Sequence, residues 1–407
     1  FQYVESAQTY IRAAALDDVI YDQPRQRLYL SNDSTNTVDV FNLATNSFTT
    51  SIPVGNNPSS MALMPDGTIL AVLNSADNTV SLVDPVGLKM TTSYTALTAG
   101  DSGCEPQAFG LAAAEPHRVV YDVLCGDTEL GGNFHILNLD TGILSCTGIA
   151  GCGPDGTSIA YTVGVGEVAS SNDGSKVFFV RNNSTGSGYP SQLLDLTANK
   201  KYPGFSGSFG DVAASADGFT FAESTYFLNN QGENFGVEAF EPFVPTSGEA
   251  LTNVIGEKLS YTGSLFFQPQ ASDVQIFDTH SGRLVLQFSV ADGVPLDSGA
   301  LAVDETGSKI FVITSSGLTI YQLAQVPLSI GYLTPASGSD GTTLKIRGTG
   351  FVTGATVSFG TTEATTTFVD ASTLQVTVPS LAAGNYRVTI TNPNGQIYSL
   401  DDAFTAN

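Results

Sequence analysis

Asp18, Glu167 and Asp211 each stand one residue before a short apolar run that recurs along the chain. Carboxylates brought to one level by such a repeat would bind Ca²⁺ or another hard cation, or offer acceptors to sugar hydroxyls. The competing reading is that they are solvated acids, since carboxylates at one level repel unless paired or metal-bound. His, the usual general base, occurs at 117, 135 and 280 alone. No G-x-S-x-G nucleophile elbow is present. Gly348-Thr349-Gly350 lacks the following helix and the Lys-Ser/Thr pair of a phosphate loop, so it reads as a β-turn. Cys104, Cys125, Cys146 and Cys152 are separated by 21, 21 and 6 positions, which does not supply the close pairs that zinc requires.

The elements that must position these residues announce themselves as a repeat. "LYLSNDSTNTVDVFN" (28–42) lies over "LAVLNSADNTVSLVD" (70–84) without a gap, at an offset of 42. A tight first turn recurs at Pro65-Asp66-Gly67, Asn172-Asp173-Gly174, Ala216-Asp217-Gly218 and Glu305-Thr306-Gly307. A later turn recurs at Asp140-Thr141-Gly142 and at Asp278-Thr279-His280-Ser281-Gly282. Gly, Asn and Asp at these places supply the positive φ that hairpin connections need. A period of this length holding several short strands predicts propeller blades. Inner strands are expected to begin at Val19, Met61, Leu111, Val168, Val212, Leu259 and Leu301. Residues 223–258 interrupt the frame, and the last blade, ending in "GLTIYQL" (317–323), is one strand short. The segment before Val19 is the natural donor of that missing edge.

Composition agrees with an all-β chain. In 407 residues there are 42 Gly, no Trp and 13% charged residues, with Val, Thr, Phe and Tyr in short alternating runs. A net charge of −24 repels phosphate backbones and anionic membrane surfaces, which excludes nucleic acid as a partner. No apolar run reaches membrane-spanning length. The chain opens on Phe-Gln-Tyr rather than Met, so a removed leader or a fragment is expected. Asn32, Asn182 and Asn183 lie in N-x-S/T sequons, read as chance matches.

The first-turn residues, "LAVLN", "NTVSLVD" and the DTG-like turn together resemble the YVTN/NHL-type seven-bladed β-propellers over residues 1–325. After the linker 324–327, the chain resembles the IPT/TIG immunoglobulin-like domain over 328–407. Pro335, Gly341-Thr342, Gly348-Thr349-Gly350-Phe351, Phe359-Gly360, Asn392 and Gly395 are among the residues that carry this likeness. The propeller resemblance implies a superfamily of surface-layer and binding proteins as well as lactonases and lyases. The TIG resemblance implies a spacer or interaction module on a bacterial surface.

In the blade frame, His117 and His280 fall in turns at one face of the ring and His135 on a third strand, so the three do not converge. The four cysteines fall at the opposite rim. Strand order there suggests the disulfides Cys104–Cys125 and Cys146–Cys152, with a reduced, buried set as the alternative. Asp18, Glu167 and Asp211 fall near the channel mouth, where Ca²⁺ is the one cofactor considered. The expected protein is non-enzymatic, secreted or at the cell surface of a bacterium, and it binds protein, carbohydrate or copies of itself. A structural subunit of a surface layer or fibre is the alternative reading. An extracellular lactonase- or lyase-like propeller is a third.

Overall fold

The computed structural model describes residues 4–12, 15–97, 104–106, 110–125, 132–145, 166–181, 192–198, 200–203, 212–223, 226–231, 258–295 and 299–407. Among them there is no helix. Seven antiparallel sheets form the blades of a propeller, and an eighth sheet system forms the C-terminal domain. Blade 1 holds Leu16–Asp22, Arg27–Asn32, Thr37–Asn42 and Ser47–Pro53, from the axis outward. Blade 2 repeats this with Pro58–Leu63, Leu70–Asn74, Thr79–Asp84 and Lys89–Thr95. In blade 3 two short strands, Cys104–Pro106 and Ala112–Ala114, share the inner edge of Arg118–Cys125.

Strand alternation explains why these runs are apolar on both sides. Successive side chains point to opposite faces of a strand. Leu28 and Leu30 therefore share a cluster with Phe311 and Ile313 of blade 7, while Tyr29 between them packs with Met61, Leu70 and Val72 of blade 2. Ala71 and Leu73 turn the other way, toward Leu111 and Val119 of blade 3. Each second strand is thus buried against two neighbouring blades.

The ring closes through the N-terminal strand. Val4–Ile11 pairs antiparallel with Gly317–Leu323 and becomes the outermost strand of blade 7. Arg12 then reaches into blade 1. Its Nε donates to Asp39 Oδ2 at 2.8 Å and its Nη2 to Oδ1 at 2.7 Å, while the guanidinium lies 5.1 Å from the centre of the Phe48 ring. Asn32 Nδ2 also donates to Asp39 Oδ2, at 2.8 Å. Burial alone would raise the Asp39 carboxyl, but Arg12, Ser51 and Asn32 outweigh it and hold the group below its ordinary value. Asn32 is fully buried in this network, which leaves no room for a glycan at the first sequon.

The C-terminal domain begins at Ser329–Thr334 and ends at Ile397–Ala406. One sheet runs through Thr343–Thr349 and Thr373–Thr377, the other through Thr356–Phe359 and Gly384–Thr391. The long strand Thr362–Asp370 belongs to both sheets. Ile346, Phe359, Leu374, Val388, Ile390 and Phe404 are buried between the two sheets, as an immunoglobulin-like sandwich requires. The turn after Thr349 is the one expected of Gly348-Thr349-Gly350, with Gly350 at φ +71°.

Candidate functional site at the propeller axis and the domain seam

The inner strands surround a cavity of about 980 Å³. At one end stands Asp18, but not as a free carboxylate at the mouth. It is 7% exposed, its Oδ2 accepts the Met61 amide at 2.7 Å, and its Oδ1 accepts the Val19 amide at 2.8 Å. Ser60 does the same one blade later, accepting the Leu111 amide at 3.0 Å. Asp18 and Ser60, at matching positions within the inner strands of blades 1 and 2, therefore each latch their blade to the next, because an inner-strand amide facing the axis needs an acceptor. Gly299 meets Asp18 across the blade 7 to blade 1 junction, where a Cβ would come within 2.4 Å of Oδ1. Burial raises the Asp18 carboxyl, partly offset by the charge of Lys258 and by the two amides. The side chain of Glu167 and all of Asp211 lie outside the described residues, so the expected carboxylate trio is represented here by Asp18 alone.

The turns revise the sixth blade. Ser260 donates its amide to Leu265 as Met64 does to Ile69, Ser171 to Lys176, Ser215 to Thr220 and Asp304 to Lys309. Counting back from this shared bond sets the frame of the blade two residues earlier than a start at Leu259, and the described inner strand is Lys258–Leu259. The irregular segment 223–258 had hidden that register. Lys258 then falls level with Ala62, Ala112, Ala169, Ala213 and Ala302, with Ile20 in the remaining blade, and all seven line the cavity. Aligning the first turns rather than the apolar runs would have found this lysine.

The other end of the axis carries the first turns and the third-to-fourth-strand turns, and the C-terminal domain is seated on this face. Tyr332 donates its hydroxyl to Asp217 Oδ2 at 2.8 Å and stacks on Phe219, with ring centres 4.0 Å apart and planes 9° from parallel. Asp278 takes two hydroxyls from the sandwich, Ser329 Oγ at 2.5 Å and Tyr398 at 3.1 Å. Thr262 donates to the Gly348 carbonyl at 3.0 Å, and His280 Nε2 donates to the Gly331 carbonyl at 2.7 Å. A Cβ on Gly331 would meet the Thr262 carbonyl oxygen at 2.6 Å, so glycine is what lets the two backbones approach. Burial lowers His280 below its ordinary value and raises Asp217 above its own, each partly offset by its hydrogen bonds. Arg347 lies 5.8 Å from the ring centre of Tyr261, a residue of the cavity rim. The seam therefore reaches the edge of the channel.

His117 sits in the first turn of blade 3, on this same face. It holds φ +41°, where Gly67, Gly174, Gly218, Gly263 and Gly307 stand in five of the other blades. Its Nε2 contacts Asp66 Oδ2 at 2.9 Å and its Nδ1 contacts Asp140 Oδ1 at 3.0 Å. Asp66 and then Asp140 raise His117 above its ordinary 6.5. Desolvation is the largest single influence on Asp66 and raises it, but His117 and Thr68 together outweigh it and leave its carboxyl at about 2. A histidine with a raised folded value adds stability that is complete below its unfolded value and lost as pH rises through the folded one. His117→Gly removes this clasp and relieves the positive φ. The variant is expected to melt below the parent near about pH 5.5 and to gain on it toward about pH 9. A melting-temperature difference that stays flat across that range would refute the clasp. His135 is buried on a third strand and stacks on Tyr121, away from both other histidines.

Cys104 and Cys125 are directly opposed in the antiparallel register of blade 3. Opposed residues in such a ladder have Cα atoms about 4.5–5.5 Å apart, within the range a disulfide spans. Peptide mapping without reductant is therefore expected to recover one Cys104–Cys125 crosslinked pair. Free thiols at both positions in protein purified without reductant would count against it. Cys146 and Cys152 lie outside the described residues.

Among the described residues, no group of three His, Cys, Asp or Glu side chains is arranged to hold a metal ion, and no helix is long and apolar enough to cross a membrane. Residues 328–406 match the IPT/TIG domain model. The C-terminal sandwich is an IPT/TIG domain. Among solved structures, hydrazine synthase of Kuenenia stuttgartiensis is similar at a TM-score of 0.50 and 14% identity, covering 78% of this chain and 97% of that one. At that identity the likeness speaks for the propeller fold alone. A search of curated proteins finds no match. Together the seven blades and the TIG domain are consistent with a binding or interaction protein.

Proposed function

We propose that this is a non-enzymatic, extracellular binding protein of the bacterial cell surface. Its YVTN/NHL-like propeller presents the binding surface, and its TIG domain fixes the orientation of that surface and docks it to a protein or carbohydrate partner. The observation that carries the reading is the seam. Two propeller carboxylates, the buried Asp278 and the half-buried Asp217, accept three TIG hydroxyls, so ionisable groups at the turn-bearing face are spent on holding one rigid body. A rigid presenting surface loses less conformational freedom on binding than two linked domains would. The strand register of 42 residues and the Asp-Gly first turns support the propeller subtype.

The test is biolayer interferometry of the intact chain against immobilised surface polysaccharides and surface proteins. Saturable binding that weakens when the seam is cut by Asp278→Ala is the expected result. Turnover of a lactone or polysaccharide panel without saturable retention would overturn it.

A further inference from the structure

The cavity along the axis has walls of a particular kind. Five of seven blades place alanine at one level of the inner strand, a sixth places Ile20, and the seventh places Lys258. The small side chains keep that level open. The cavity, at about 980 Å³, lies at the upper end of the range that holds small organic ligands. Lys258 is a strong exception in this wall. The whole chain has only 15 Lys and Arg against 39 Asp and Glu, and Lys258 stands half-buried at a level otherwise lined by alanine and isoleucine. Among the described residues, no carboxylate lies within ion-pair distance of Lys258. Asp18 feels its charge but has committed its two oxygens to the Met61 and Val19 amides.

We propose that the channel is a ligand site for a monocarboxylate with an apolar body, its carboxylate on Lys258 and its hydrocarbon against the alanine-lined wall. The charge of the chain sharpens the choice of ligand. A net −24 repels small free anions, so an anion that gains nothing but the lysine contact is disfavoured. One that also buries apolar surface recovers about 25 cal/mol for each Å² removed from water. The site is independent of the partner-binding surface proposed above, and either can fail without the other.

The test uses the intact protein and three probes: octanoate, acetate and 1-octanol. Lysines are methylated with formaldehyde and cyanoborohydride, and the rate at each is followed by mass spectrometry. With octanoate at about four times its dissociation constant, the rate at Lys258 is expected to fall about five-fold while other lysines are unchanged. Acetate and octanol at the same concentration are expected to leave it unprotected. Lys258→Gln, folded with an unshifted melting temperature, is expected to lose saturable octanoate binding by calorimetry, and Lys258→Arg to keep it. Equal protection by octanol would show an apolar cavity without a carboxylate site. An unprotected Lys258, or unchanged octanoate binding to Lys258→Gln, would overturn the proposal. So would a Lys258→Gln variant that is destabilised while octanoate gives the parent no protection, since the lysine would then be an internal counter-ion.

Discussion

Asp278→Ala is expected to release the TIG domain from the propeller. Ser329 is fully buried and gives its hydroxyl to Asp278, which also accepts the Tyr398 hydroxyl and is fixed from its own side by the Ser281 amide and hydroxyl. Removing the carboxylate takes the acceptor from the Tyr398 hydroxyl and leaves the buried Ser329 hydroxyl only the Ser264 carbonyl at 3.3 Å. Each such loss costs about 1–3 kcal/mol. The sum, about 2–6 kcal/mol and nearer the lower figure because Ser329 keeps the Ser264 carbonyl, rivals what the remaining polar contacts of the seam contribute at about 0.5–1.5 kcal/mol each. Calorimetry is expected to resolve one transition into two, and small-angle scattering is expected to show a larger radius of gyration. Cleavage by a protease in the 324–327 linker is expected to rise as well. A single transition with unchanged scattering would show that the stacked Phe219–Tyr332 pair and the backbone contacts hold the domains without Asp278. Asp278→Asn, which keeps one acceptor oxygen, is expected to fall between the two.

Arg12→Ala is expected to weaken the closure of the ring. Asp39 has no exposed side-chain surface, whereas a third of Arg12 is exposed. The variant leaves Asp39 with Asn32, Ser51 and Thr37 but no cation. Stranding a buried ion-pair partner costs about 3–5 kcal/mol, and the solvent reaching Arg12 puts the loss near the lower figure. Packing of the guanidinium over Phe48 is lost too. The urea midpoint is expected to drop, and hydrogen exchange along Val4–Ile11 is expected to quicken, because that strand holds blade 7 through one ladder only. Arg12→Ala with Asp39→Asn is expected to recover part of the loss, since no buried charge remains. An unchanged midpoint in the single variant would mean that strand pairing alone closes the ring.

How much of this was legible in the sequence differs by residue. The blades could be read because their signals are local: the alternation in "LAVLN", and turn residues such as Gly67 and Asn78 at positive φ, depend on neighbours a few positions away. The TIG domain was legible for the same reason, through its turn glycines. The sixth blade was misread by two residues, since an irregular segment precedes it and only the turn bond of Ser260 to Leu265 restores the register. Asp18 could be placed at the level of the axis, but not aimed. Its carboxylate turns to Met61, 43 positions away, because the packing of blade 2 against blade 1 brings an inner-strand amide beside it.

The seam was invisible for a stronger reason. Tyr332 meets Asp217 across 115 positions and Tyr398 meets Asp278 across 120, and nothing near either residue in the chain marks it for a partner. The sequence by itself determined the kind of each element, its turns and the division into propeller and sandwich, because backbone preference and hydrophobic period are properties of short segments. The tertiary structure alone decided which face carries the sandwich and which carboxylates are consumed in holding it. Those outcomes depend on where closed rings and packed faces bring distant segments, and that is set by the sum of all the contacts rather than by any one stretch.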